Sequence, residues 1–67
     1  MANSTPIYRE LRRQRRRARL SQQTIAGVLN VSLASISNFE TRGAALPHEL
    51  TPDDYEAALQ ALIVKAS

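Results

Sequence analysis

From Leu20 to Glu40 the chain reads LSQQTIAGVLNVSLASISNFE, and this stretch restricts the fold more than any other. Serine opens each of two apolar segments, Ser21 before QQTIAGVL and Ser32 before LASISNFE. A serine oxygen accepts from the free amides at a helix start, so both are cap positions. Ile25, Ala26 and Leu29 share a face at helical spacing in the first segment. Ile36 and Phe39 do so in the second, whereas Ala34, Ser35, Ser37 and Asn38 fall elsewhere. Asn30, between the segments, suits a left-handed turn because its short polar side chain tolerates positive φ. Two short helices joined by a tight turn follow.

Helical signals continue on both sides. Thr5 before Pro6 predicts a helix from Pro6 to about Arg17, with the threonine as cap and the proline at the first helical position. Ile7, Leu11, Arg15 and Ala18 then share one side, and the RRQRRR run coats the others, since arginine is a good helix former. Gly43 closes the third helix, and AALPHEL reads as a loop around Pro47. Thr51-Pro52-Asp53-Asp54 starts a fourth helix over residues 52–65, with a threonine cap and acids beside the positive end of the dipole. Its core stripe is Tyr55, Ala58, Leu59, Leu62, Ile63 and Ala66; a second apolar stripe, Ala57, Ala61 and Val64, needs a cover of its own. That cover is either the AALPHEL loop or a twofold mate, and the second is favoured slightly. No segment alternates with a two-residue period, so the expectation is an all-α bundle of four helices (range four to five) in one domain over residues 1–67.

The charges are sorted along the chain. Residues 1–19 hold seven arginines against Glu10, a balance of +6; residues 20–43 hold Glu40 and Arg42 and are neutral; residues 44–67 carry −3. One end therefore suits a polyanion, although a run of arginines can also be a solvated face that keeps a small protein in solution. A chain of this size buries only about 60% of its unfolded surface, and without cysteine it has neither disulfides nor thiolate metal sites. The polar leader Met1 to Pro6 and the short apolar runs predict neither a signal peptide nor a membrane span, and so a cytoplasmic protein.

Catalytic sets are hard to assemble. Asp53 and Asp54 diverge by about 100° on a helix, which suits dipole capping better than paired-acid chemistry. His48 stands alone in a loop, so no metal and no cofactor is expected, and no enzyme. Tyr8 and Tyr55 are expected to be half-buried core residues with wet hydroxyls.

The neutral stretch fits a helix that enters the DNA major groove. Such a helix needs a slim outward face to reach base edges, and Leu33, Ala34, Ser35, Ser37 and Asn38 make one. Arginines elsewhere supply phosphate attraction, which positions a protein without reading sequence. RLSQQTIAGVLNVSLASISNFE also resembles the helix-turn-helix of the phage repressor and Cro family, a lambda-repressor-like fold. Leu20, Ser21, Gln22, Ile25, Ala26, Leu29, Val31, Ser32, Ile36 and Glu40 stand on its pattern positions, and Leu11, Arg12 and Arg15 extend the likeness into the first helix.

The resemblance implies a regulator that occupies a double-stranded DNA operator, and the single-domain size leads to the expectation that it is encoded by a phage or mobile element and works in a bacterial cell. Ser32, Leu33, Ala34, Ser35, Ser37 and Asn38 would face the bases; Arg12, Arg16, Arg19, Gln22, Gln23, Thr41 and Arg42 would meet phosphates. Arg15 and Glu40 would form a partly buried structural ion pair, and Ala57, Ala61 and Val64 a homodimer interface through the C-terminal helix. Asn30 and Arg19 replace glycines common in the family, and Gln14 stands where an apolar residue is frequent. Leu33 and Ala34 cannot make bidentate base contacts, so reading would rest on thymine methyls, hydroxyls and DNA shape. Two other classes stay open: an arginine-rich helix gripping an RNA hairpin, and an antitoxin-like module whose C-terminal helix binds a protein partner.

Overall fold

The computed structural model describes residues 5–66, which form four helices: α1 Ile7–Arg17, α2 Gln22–Leu29, α3 Leu33–Arg42 and α4 Pro52–Ala66. No strand occurs among the described residues. Residues 1–4 of the polar leader and the side chain of Ala66, assigned above to the core stripe of the last helix, lie outside them.

Helix boundaries follow local chemistry with one exception. Ser21 Oγ accepts from the Thr24 amide at 3.1 Å and Ser32 Oγ from the Ser35 amide at 3.1 Å, so α2 and α3 each start on a serine cap. Thr51 and Asp54 form a reciprocal box: the Asp54 amide donates to Thr51 Oγ1 at 3.3 Å, and the Thr51 amide to Asp54 Oδ2 at 2.7 Å. At α1 the expected threonine cap is absent. Pro6 is itself the cap residue, extended at φ −56° and ψ 145°, and no side chain caps the helix. A proline ring permits this extended conformation as readily as the helical one. The Pro6 carbonyl takes the Arg9 and Glu10 amides, and Glu10 places a negative charge in the first turn.

The connections are left-handed where the chain must reverse. Arg19 (φ 60°), Asn30 (φ 59°) and Gly43 (φ 71°) follow α1, α2 and α3 in turn. The first two are the positions at which the resemblance expects glycine. Gly43 has a second constraint, because a Cβ there would lie 2.7 Å from Tyr8 Cε1. In the loop before α4, His48 and Glu49 are also left-handed, and the Leu50 amide closes that turn on the Pro47 carbonyl.

All four helices contribute to one core, built on Leu11, Ile25, Ile36, Phe39, Tyr55 and Leu59. Helix α1 packs on α3 and α4, and α2 packs on the same two. Ile7, expected on the buried side of α1, is 51% exposed. Tyr8 covers the core there instead, edge-on to Phe39 with ring centroids 6.4 Å apart. Leu46, within the predicted loop, is buried and ties that loop to the core. The second stripe of α4 stays uncovered in the single chain: Ala57 and Ala61 are exposed, and Val64 is 71% exposed. The loop therefore does not cover that stripe.

Candidate nucleic-acid interface

Helix α3 has two faces of opposite character. Ile36, Phe39 and Glu40 are buried on one side, while Ala34, Asn38 and Thr41 are exposed and Ser37 half-exposed on the other. Leu33 stands at the first helical residue, 50% exposed. No hydrogen bond ties the side chains of Ser37 or Asn38 among the described residues, so their polar groups are available to a ligand. Thr41 is partly committed, its hydroxyl donating to the Ser37 carbonyl at 2.8 Å.

The structure divides the candidate base-facing residues. Leu33, Ala34, Ser37 and Asn38 lie toward the outward surface. Ser32 and Ser35 are joined hydroxyl to hydroxyl at 2.9 Å, and the Ser35 amide also takes the Ser32 oxygen, so this pair serves the cap. Among the phosphate candidates, Gln23 and Arg42 are exposed at the start of α2 and the end of α3, and Arg19 is exposed in the turn before α2. Arg12 and Arg16 are exposed on α1. They line an open depression along α1 with Arg9, Arg13 and Arg17.

Behind the outward face of α3 sits a buried carboxylate. Arg15 grips Glu40 with both ends of its guanidinium, Nε to Oε2 at 2.8 Å and Nη2 to Oε1 at 2.9 Å, and Nη1 donates to the Leu20 carbonyl at 2.6 Å. This fork geometry is the strong form of a charge-assisted bond. Gln22 Nε2 donates to Glu40 Oε1 at 3.0 Å, and the Tyr55 hydroxyl donates to Glu40 Oε2. A side chain from each of α1, α2, α3 and α4 thus meets at one carboxylate.

Burial of Glu40 would by itself raise its pKa, but the bonds from Arg15, Tyr55 and Gln22 outweigh it and hold the group below the ordinary carboxylate value. Burial and the bond to Glu40 push the Tyr55 phenol well above its usual range. No buried side-chain nitrogen or oxygen among the described residues lacks a partner.

Two members of this cluster differ from the sequence reading. Tyr55 is fully buried rather than half-wet. The side chain of Gln22, expected at a phosphate, spends a donor on Glu40, which leaves its backbone amide and remaining amide hydrogen at the start of α2. One signal was available for Tyr55, since a phenol on a core stripe needs a buried acceptor.

Among the described residues, no group of His, Cys, Asp or Glu could hold a metal ion, and no helix is long and apolar enough to cross a membrane. No curated protein and no solved structure matches the chain. The family described as helix-turn-helix domain matches residues 9–66, from the first turn of α1 to the end of α4. That span takes in every element built above, and the chain belongs to the helix-turn-helix domain family.

Proposed function

We propose that this chain is a sequence-specific double-stranded DNA-binding regulator of the phage repressor and Cro type, which acts by occupying an operator. The observation that carries the reading is the outward face of α3, where Ala34, Ser37 and Asn38 stand slim and untied on a helix anchored from behind through Glu40. A helix of this width fits the major groove; Asn38 offers an amide to an adenine edge, Ser37 a hydroxyl to any base, and Leu33 and Ala34 apolar contact to thymine methyls. Arg19, Gln23, Arg42 and the free backbone amide at Gln22 flank that face as phosphate contacts.

The exposed stripe Ala57, Ala61 and Val64 on α4 supports a twofold dimer, which would read two half-sites about 34 Å apart.

Selection of binders from a random duplex DNA pool by the purified protein at near-physiological salt tests the reading. The expected result is an enriched inverted repeat. A pool that stays flat after several rounds would overturn it.

A further inference from the structure

The outward face of α3 is defined as much by what it lacks as by what it carries. From Leu33 to Thr41 the only ionised side chain is Glu40, which is buried and committed to Arg15, Gln22 and Tyr55. The acceptor pair of guanine is met best by arginine or lysine, and the amino group of cytosine by a carboxylate, so this face carries neither partner for a G·C pair. Asn38 matches an adenine edge. What the face offers at the start of the helix is apolar.

Leu33 and Ala34 open α3 directly after the Ser32 cap. Ala34 is exposed, and Leu33 is half-exposed and takes no part in the core. A single exposed leucine is ordinary on a protein surface. This one stands between two hydroxyls that are already engaged: Ser32 and Ser35 bond to each other, and the Ser35 amide donates to Ser32 Oγ. The polar side chains at this end of the helix therefore serve the cap, and the side chains of Leu33 and Ala34 are what it presents.

One group on the major-groove edge of a base pair is apolar, the methyl on C5 of thymine. Cytosine acquires the same group at the same ring position when it is methylated at C5. The two methylated pyrimidines differ in the oxygen or amino group on C4, and Leu33 has no atom that could tell these apart.

We propose that Leu33, flanked by Ala34, reads the C5-methyl group of a pyrimidine rather than a particular base, so that 5-methylcytosine stands in for thymine there and methylation of an operator cytosine tightens binding. The inference rests on the DNA-binding reading above and adds to it the chemical group recognised and a covalent mark that regulates it. A cytosine at that position leaves Leu33 against a bare ring edge, and C5 methylation supplies the missing contact.

Methyl-specific changes in the DNA test this. In one half-site of the selected operator each thymine is replaced in turn by deoxyuridine, which removes the methyl and keeps every hydrogen-bonding group. At one position the wild-type chain is expected to lose about fourfold in affinity, as for burial of one methyl-sized group. That position is then set to cytosine or to 5-methylcytosine, each opposite guanine, and the methylated form should bind about fourfold more tightly. Both ratios should shrink to below about twofold in Leu33→Ala, which keeps a good helix former at an exposed site. Each ratio is measured with one protein, so partial unfolding of the variant lowers both members alike.

Three outcomes would overturn the proposal: no thymine in the half-site whose methyl matters; no gain from 5-methylcytosine over cytosine at the sensitive position; or ratios undiminished in Leu33→Ala, which would put the methyl against another part of the chain. If the pool selection enriches nothing, the operator reading fails separately. The comparison is then made between alternating dA-dT and dA-dU duplexes. A preference for the methylated duplex that is lost in Leu33→Ala still supports the methyl contact, and equal binding, or a preference that the variant keeps, overturns it.

Discussion

Tyr55 of α4 donates its hydroxyl to the same Glu40 carboxylate of α3 that Arg15 grips with two bonds. The bond joins the last helix to α3 at a point where both residues are shut off from water, Tyr55 0% and Glu40 1% exposed. Removing the hydroxyl as Tyr55→Phe takes one donor from a buried anion and changes little else in shape. Urea unfolding should show a loss of about 1–3 kcal/mol, and a loss below the error of the fit would mean that the bond is idle.

Glu40 itself should be worse to lose. Glu40→Ala leaves the Arg15 guanidinium buried without its counter-charge, a change that costs about 3–5 kcal/mol in other buried pairs. Replacing both together, as Arg15→Met with Glu40→Leu, should recover most of that loss. Thermal melting of these two variants beside Tyr55→Phe checks the order.

The same cluster sets the pH dependence. Glu40 is held below its ordinary value, so it contributes stability that is present above about pH 4.5 and is lost as pH falls through its lower folded pKa. Tyr55 is raised, so its contribution is complete below about pH 10 and is lost as pH climbs toward its higher folded pKa. Melting temperature against pH should be flat between these limits and fall outside them, with the alkaline fall reduced in Tyr55→Phe and the acid fall reduced in Glu40→Gln.

The two glycines should respond with opposite signs. Gly27 is helical, and a Cβ there would meet nothing within 4 Å, so Gly27→Ala should stabilise by about 1 kcal/mol. Gly43 is left-handed and lies under the Tyr8 ring. Gly43→Ala should destabilise by about 1–2 kcal/mol from the backbone alone, and by more if the ring cannot yield. Equal effects of the two substitutions would contradict the geometry at Gly43.

On DNA, Asn38→Ala should relax the preferred base at one position of each half-site by about 1–3 kcal/mol, whereas Arg42→Ala should weaken all sequences alike and reduce the salt slope by about one. Repeating the pool selection with each variant separates them. A uniform loss with Asn38→Ala would remove it from base reading.

Much of the fold was legible because its signals are local. Ser21, Ser32, Asn30, Gly43 and the Thr51 to Asp54 box each act within a few residues, so composition at those places decides the geometry. The start of α1 misled because proline suits the cap position as well as the first turn. Tyr8 is half-buried as expected, but Ile7 is left outside for a reason no periodicity contains: the Tyr8 ring has Phe39 to pack on and Gly43 to lie over. Arg15 and Glu40 are 25 residues apart and were paired only through the family pattern, since spacing says nothing at that distance. Gln22 and Tyr55 joined them unannounced, because which donors reach a buried carboxylate depends on how four helices come together.

The side-chain bonds that tie α3 to the other helices come from behind, through Glu40, and none runs through the side chains of Ala34, Ser37 or Asn38. The part of the molecule that would choose a DNA sequence is thereby separated from the part that keeps it folded. Variation can accumulate at those three positions without eroding the scaffold, so a library randomised there should remain folded almost throughout. A family of mutually insulated regulators could then arise from this one framework, each addressing a different site.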